Sequence, residues 1–205
     1  MLDLNVPEIQ ALITRREWRE LDAYHRIEGI YNFVRDEILF GYNTDDGIPA
    51  SRVLADGYGQ CNTKGTLFMA LLRACEIPCR IHGFTIDKKL QKGAMTGLVY
   101  ALAPRDVLHS WVEVLYDGRW YALEGLRGLQ GRFPNCRGSF CGYGVAAESL
   151  QAPAIEWKGC DTYIQSLGIC KDFGLYDSPD DMLRAHRQAL SPVKELCIGI
   201  WVGIL

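Results

Sequence analysis

The stretch VLHSWVEVLYDGRWYALE, residues 107–124, decides the fold class. Two β-branched and aromatic runs, 107–116 and 119–123, flank Asp117-Gly118, a strong signal for a tight hairpin. The spacing predicts an antiparallel pair of strands. Side chains alternate along the first, so His109, Trp111 and Glu113 share one face and Ser110, Val112 and Val114 the other. A tight turn puts Glu124 near residue 111, a short diagonal from His109 and within reach of a long side chain.

Working outward, CRIHGFTI at 79–86 is a further strand-like run. Before it, NTKGTLFMALLRAC at 62–75 reads as a buried helix with Leu67, Ala70, Leu71 and Ala74 on one face, stopped by Pro78. Residues 22–40 repeat at three and four through Tyr24, Ile27, Ile30, Tyr31, Val34 and Ile38, the helical period. PEIQALITRREW at 7–18 starts with a proline suited to a first helical turn and carries a narrow stripe of Ile9, Leu12 and Ile13. Residues 41–57, with Asn43, Asp45, Asp46, Gly47 and Pro49, read as loop or turns. Six glycines between Gly125 and Gly144 predict irregular structure, and 179–190 reads as a short late helix. Helices first, one central buried helix, then an antiparallel sheet predict an α+β fold. We expect one domain over 1–205, with its core at about 22–125 and a loop-rich region, 126–178, that shapes specificity.

Composition narrows the function classes. The 205 residues carry a net charge of −3 and a pI near 5.8, which does not suit a nucleic-acid binder. No apolar run of the roughly 18 residues needed for a membrane helix occurs, and MLDLNVPEIQ lacks the pattern of a signal peptide. The expectation is a cytoplasmic protein with no membrane partner. Most of the eight cysteines should then be free thiols. Cys136-x4-Cys141 and Cys160-x9-Cys170 do not repeat the short ligand pairs of zinc sites, so neither a metal nor another cofactor is expected.

One cysteine stands apart. Gly57-Tyr58-Gly59-Gln60 precede Cys61 and an apolar helix follows. The partial positive charge of a helix start favours thiolate over thiol, and the thiolate is the nucleophile. A structural cysteine after a glycine turn would present the same pattern. A histidine such as His109 can take and return a proton, a carboxylate such as Glu124 can fix its tautomer, and the N–H of Cys61 can serve an oxyanion. Gln60 lines such an oxyanion site or is a turn residue. Trp111 walls an acyl-binding channel or packs over the sheet. His82, Cys75 and Cys79 read as structural.

Three blocks occur in order: GQC at 59–61, LFMALLRACEIPCR at 67–80 and HSWVEVLYDGRWYALE at 109–124. Together they resemble the transglutaminase-like superfamily, within the papain-like thiol-enzyme fold that includes bacterial cysteine proteases. The resemblance covers residues from about 50 to 125. It implies Cys61 as nucleophile, His109 as base and acid, and Glu124 as orienting carboxylate, where the family most often has aspartate. Of the other nearby carboxylates, Asp117 is a turn residue and Asp106 is aimed at the opposite face. The implied chemistry is attack on a peptide or protein amide through a thioester, as a cysteine peptidase or amidohydrolase. Acyl transfer from glutamine to an amine and cleavage of a glycosylated asparagine amide use the same site. The reading from another class is a non-catalytic binding module. The apolar tail CIGIWVGIL, 197–205, needs a cover, either as an edge strand or against a second copy in a homo-oligomer.

Overall fold

The computed structural model describes residues 1–43, 45–91, 97–124, 156–162 and 168–186. Four helices come first: α1 (Pro7–Arg15), α2 (Ala23–Asp36), α3 (Ala50–Asp56) and α4 (Cys61–Ala74). Two short strands, β1 (Leu39–Phe40) and β2 (Tyr58–Gly59), pair in parallel between them. β3 (Cys79–Asp87), α5 (Gly97–Leu102), β4 (Asp106–Tyr116) and β5 (Arg119–Leu123) follow, then β6 (Ile169–Tyr176) and α6 (Pro179–Ala185). The main sheet is antiparallel with strand order β5-β4-β3-β6. The architecture is α+β, as the order of elements predicts.

Local chemistry explains the helix ends. Pro7 occupies the first turn of α1, where its missing N–H costs nothing. The Asp22 carboxylate accepts from the backbone N–H of His25 at 3.0 Å and starts α2. Ser178 does the same for α6, accepting from Asp181 N–H at 3.2 Å. At the far end of α4, Arg26 donates to the Cys75 carbonyl at 2.8 Å and Arg19 to the Ala74 carbonyl at 3.0 Å. Cations there satisfy the last carbonyls and oppose the negative end of the helix dipole.

α4 lies at the centre, packed against α2, α3, β3 and β4. It is the buried helix its sequence predicts, and buried on every side: each residue from Asn62 to Leu72 is buried. The reason is that helices cover one side while the sheet covers the other. Gly65 faces the sheet, where an added Cβ would meet Val112 at 3.6 Å, an ordinary packing contact. Leu67, Phe68, Met69 and Leu71 are each 0% exposed, and full burial of such side chains stabilises by roughly 1.5–3 kcal/mol each.

Other boundaries shift. The second helix ends at Asp36 rather than 40, because Leu39–Phe40 turn out to pair with Tyr58–Gly59. The 41–57 loop contains α3, entered after Pro49 and ended by Gly57 at φ 69°. The late helix ends at Ala185. Residues 169–176, inside the expected loop-rich region, form edge strand β6 on β3. Residues 126–155, including Cys136 and Cys141, and the tail 197–205 lie outside the described residues. Among the described residues, no helix is long and apolar enough to cross a membrane.

The hairpin turns at Asp117 (φ 48°) and Gly118 (φ 71°), both left-handed, which matches the twist of the flanking strands. Tyr116 pairs with Arg119 and Val112 with Leu123. Continuing that register sets Glu124 opposite Trp111.

Candidate active site

Cys61 is the first residue of α4, half-buried, with Gln60 as the extended N-cap. Helix-start N–H groups have no partner within the helix, so they gather positive potential beside the thiol. Gly59 allows a close approach: a Cβ there would fall 2.6 Å from Thr63 Oγ1 and 3.3 Å from Asn43 Oδ1. Those two atoms are hydrogen-bonded to each other at 2.7 Å.

His109 is 2% exposed on β4, with its ring edge-on to Phe84 at 5.1 Å. Its Nε2 hydrogen-bonds Glu124 Oε1. Cys61 also acts on the ring, by its charge and by hydrogen bonding. Burial pushes the His109 pKa down, but the charges of Cys61 and Glu124 and their hydrogen bonds outweigh it and raise it to about 10. The geometry therefore favours the imidazolium. The structure thus pairs His109 with Glu124 and places Cys61 where it acts on the same ring.

Glu124 is held by a returning segment. Its N–H donates to Thr162 Oγ1 at 2.9 Å. Thr162 N–H donates to the Ala122 carbonyl at 3.0 Å, and Ala122 N–H to Asp161 Oδ1 at 2.8 Å. Trp157 anchors this segment, 1% exposed, with Tyr24, Tyr116 and Tyr121 at 5.9, 5.8 and 5.4 Å. Within the expected specificity region, residues 156–162 brace the backbone at the end of β5 that carries Glu124.

Gln60 is committed at both ends of its side chain. Asn43 N–H donates to its Oε1 at 2.7 Å, and its Nε2 donates to Asp46 Oδ1 at 2.7 Å. Trp111 is 7% exposed, packed at 4.5 Å on both Phe84 and His82, and donates to Glu113 at 3.3 Å. Packing over the sheet accounts for its position. His82 hydrogen-bonds Asp172 at 2.7 Å. Burial pushes the Cys75 and Cys79 thiols up to about 11. Cys160 and Cys170 are exposed, and no group among the described residues could hold a metal ion.

Several residues at the site escaped the sequence reading. Asn62 donates to Asp46 Oδ2 at 3.0 Å and accepts from Ser110 Oγ at 2.9 Å. Lys64, fully buried, donates to the carbonyls of Ile38 at 2.6 Å, just past α2, and of Arg35 at 3.4 Å, in its last turn. The available signal was a run of polar side chains, 62–64, at the start of a helix too apolar to be exposed.

Lys64 gives a pH prediction. Burial lowers its pKa to about 7; Cys61 and Asp36 oppose that shift and Arg35 adds to it. Between pH 7 and 10.5 the unfolded chain therefore holds more protons at Lys64 than the folded one, so this group makes stability rise with pH. His109 acts oppositely: its folded value of about 10 exceeds 6.5, so its contribution is full below 6.5 and is lost as pH rises through 10. Lys64→Met removes the rising part. Its unfolding free energy, from urea titrations at stepped pH, should fall more steeply from pH 7 to 10 than that of the wild type. Parallel curves would refute the burial penalty on Lys64.

Comparison with known proteins completes the picture. No curated protein matches the chain. Among solved structures, the "Putative Cysteine Protease from Cytophaga hutchinsonii" is similar at 19% identity and a TM-score of 0.40, over 56% of this chain and 35% of that one. The matched part thus spans about a third of that protein's length. A model of the transglutaminase-like superfamily matches residues 12–125, from α1 through the hairpin that ends at Glu124. With more than half of its length so matched, the chain belongs to the transglutaminase-like superfamily.

Proposed function

We propose that this protein is a thiol enzyme that cleaves a peptide or protein amide through a thioester on Cys61, with water as the acceptor. The observation that carries the reading is the buried His109, hydrogen-bonded to Glu124 and acted on by the helix-start Cys61. Cys61 Sγ attacks the carbonyl carbon, and the N–H groups at the start of α4 receive the oxyanion. His109 passes its proton to the leaving nitrogen as the C–N bond breaks, leaving a thioester and a free amine. His109 then takes a proton from water, whose oxygen attacks the thioester. The acid leaves and the thiol is restored. Glu124 holds the ring in register and supports its cationic form. Its extra methylene relative to aspartate spans the diagonal from the strand end to Nε2. A primary amine in place of water would make the same site an acyl transferase.

The test is competitive alkylation. Below pH 7, iodoacetamide should modify Cys61 faster than Cys75, Cys79, Cys160 and Cys170, read by peptide mapping. Cys75 and Cys79 are held back by burial and raised pKa values. A Cys61 no faster than exposed Cys160 would sink the nucleophile and leave the binding-module reading. Fluorogenic peptide amides, with and without a primary amine, then separate hydrolysis from transfer.

A further inference from the structure

We propose that Asp46 is a further positioning residue of this site, clamping the two residues that flank Cys61 and so holding the nucleophile in its place against His109. The inference rests on the Cys61–His109 reading above.

Asp46 lies in the 41–49 loop, far from the motif in sequence. One oxygen accepts from Gln60 Nε2 at 2.7 Å and the other from Asn62 Nδ2 at 3.0 Å. Residues 60 and 62 are the neighbours of Cys61 on either side, so one carboxylate fixes the chain entering and leaving the nucleophile. Both amides are tied further: Gln60 to Asn43 N–H, and Asn62 to Ser110 Oγ on β4. Ser110 is next to His109. The clamp therefore links the loop, the start of α4 and the histidine strand.

The charge bears on His109 as well. Burial raises the Asp46 pKa; Asn62 and Gln60 lower it, Asp45 raises it, and His109 lowers it. The attraction is mutual, so a charged Asp46 supports the His109 cation. Among the described residues, the charges that act on that ring most are Cys61 of α4 and Glu124 after β5, and the ring in turn acts on Asp46 of the loop. Lys64, one turn along α4, faces Cys61 and the end of α2. A carboxylate suits the place because it offers two acceptors to two amide donors. An asparagine would turn its own NH2 against one of them.

The experiment is the pH profile of Cys61 carboxymethylation by iodoacetate, with the thermal midpoint as a control for the fold. The reagent is an anion drawn to the imidazolium, so the alkaline fall of the rate reports loss of the His109 proton. Asp46→Asn and Asp46→Ala should move that limb down by roughly half a pH unit or more, whereas Asp46→Glu should keep it near the wild-type position. A limb unmoved in a folded Asn or Ala variant would overturn the role of Asp46 while leaving Cys61 as the nucleophile. Failure of both variants to fold would mark Asp46 as structural and also overturn it. A wild type with no fast carboxymethylation at Cys61 would instead remove the underlying reading.

Discussion

Alanine at Cys61 is expected to cut amide turnover by roughly 10⁴–10⁶-fold, the scale on which single members of a nucleophile–base pair fail. No other group in the hydrogen-bonded set can form the acyl intermediate, since His109 and Glu124 are buried partners of each other. The fold should persist because Cys61 is only half-buried and sits at the edge of the packed part of α4. Mass spectrometry should show an acyl adduct on the wild type with a slow peptide ester and none on the variant. Residual turnover within tenfold of the wild type would mean that the chemistry lies elsewhere. Loss of binding without any covalent adduct in the wild type would favour a non-catalytic module.

The largest effect on stability is expected at the middle of the same helix. Phe68 is 0% exposed and meets the ring of Tyr31, also 0% exposed, edge-on at 5.9 Å. Phe68→Ala should cost about 3–5 kcal/mol, the range for deleting a buried aromatic ring. For a chain of this size that lowers the melting temperature by roughly 6–20 °C. α4 is enclosed by helices on one side and strands on the other, so the cavity has little freedom to collapse. A drop of only a degree or two by calorimetry would show that α2 and the sheet can close around the gap.

Parts of this molecule were legible in the sequence because their chemistry is local. β4 and β5 announce themselves by alternation and by Asp117-Gly118, whose positive φ values need that pair. Cys61 is legible because glycines precede a long apolar helix. α3 was not, because Pro49 and Gly57, which mark its two ends, punctuate a loop just as well. β6 hid because Cys170, Lys171 and Asp172 are exposed, so an edge strand with polar side chains shows no hydrophobic period. Lys64 and Asp46 contradict local expectation. A lysine is tolerated in this buried helix where another helix ends beside it and lends carbonyls. The Asp46 contacts join residues 14 and 16 apart, and no periodicity encodes where that loop lies.

The turn at Asp117-Gly118 also sets a limit on how this sequence can change. His109 and Glu124 are 15 residues apart, and that number is the path up one strand, around two residues and back down the next. Strand side chains have a period of two. One residue gained or lost at the turn, with the pairing slipping to match, would send Glu124 to the opposite face while both partners stayed chemically intact. Change within the hairpin that preserves the shared face must therefore be by substitution or by an even number of residues, while insertion elsewhere is free of the rule. The spacing is a parity rule set by backbone pairing, and the carboxylate depends on it as much as on its own identity.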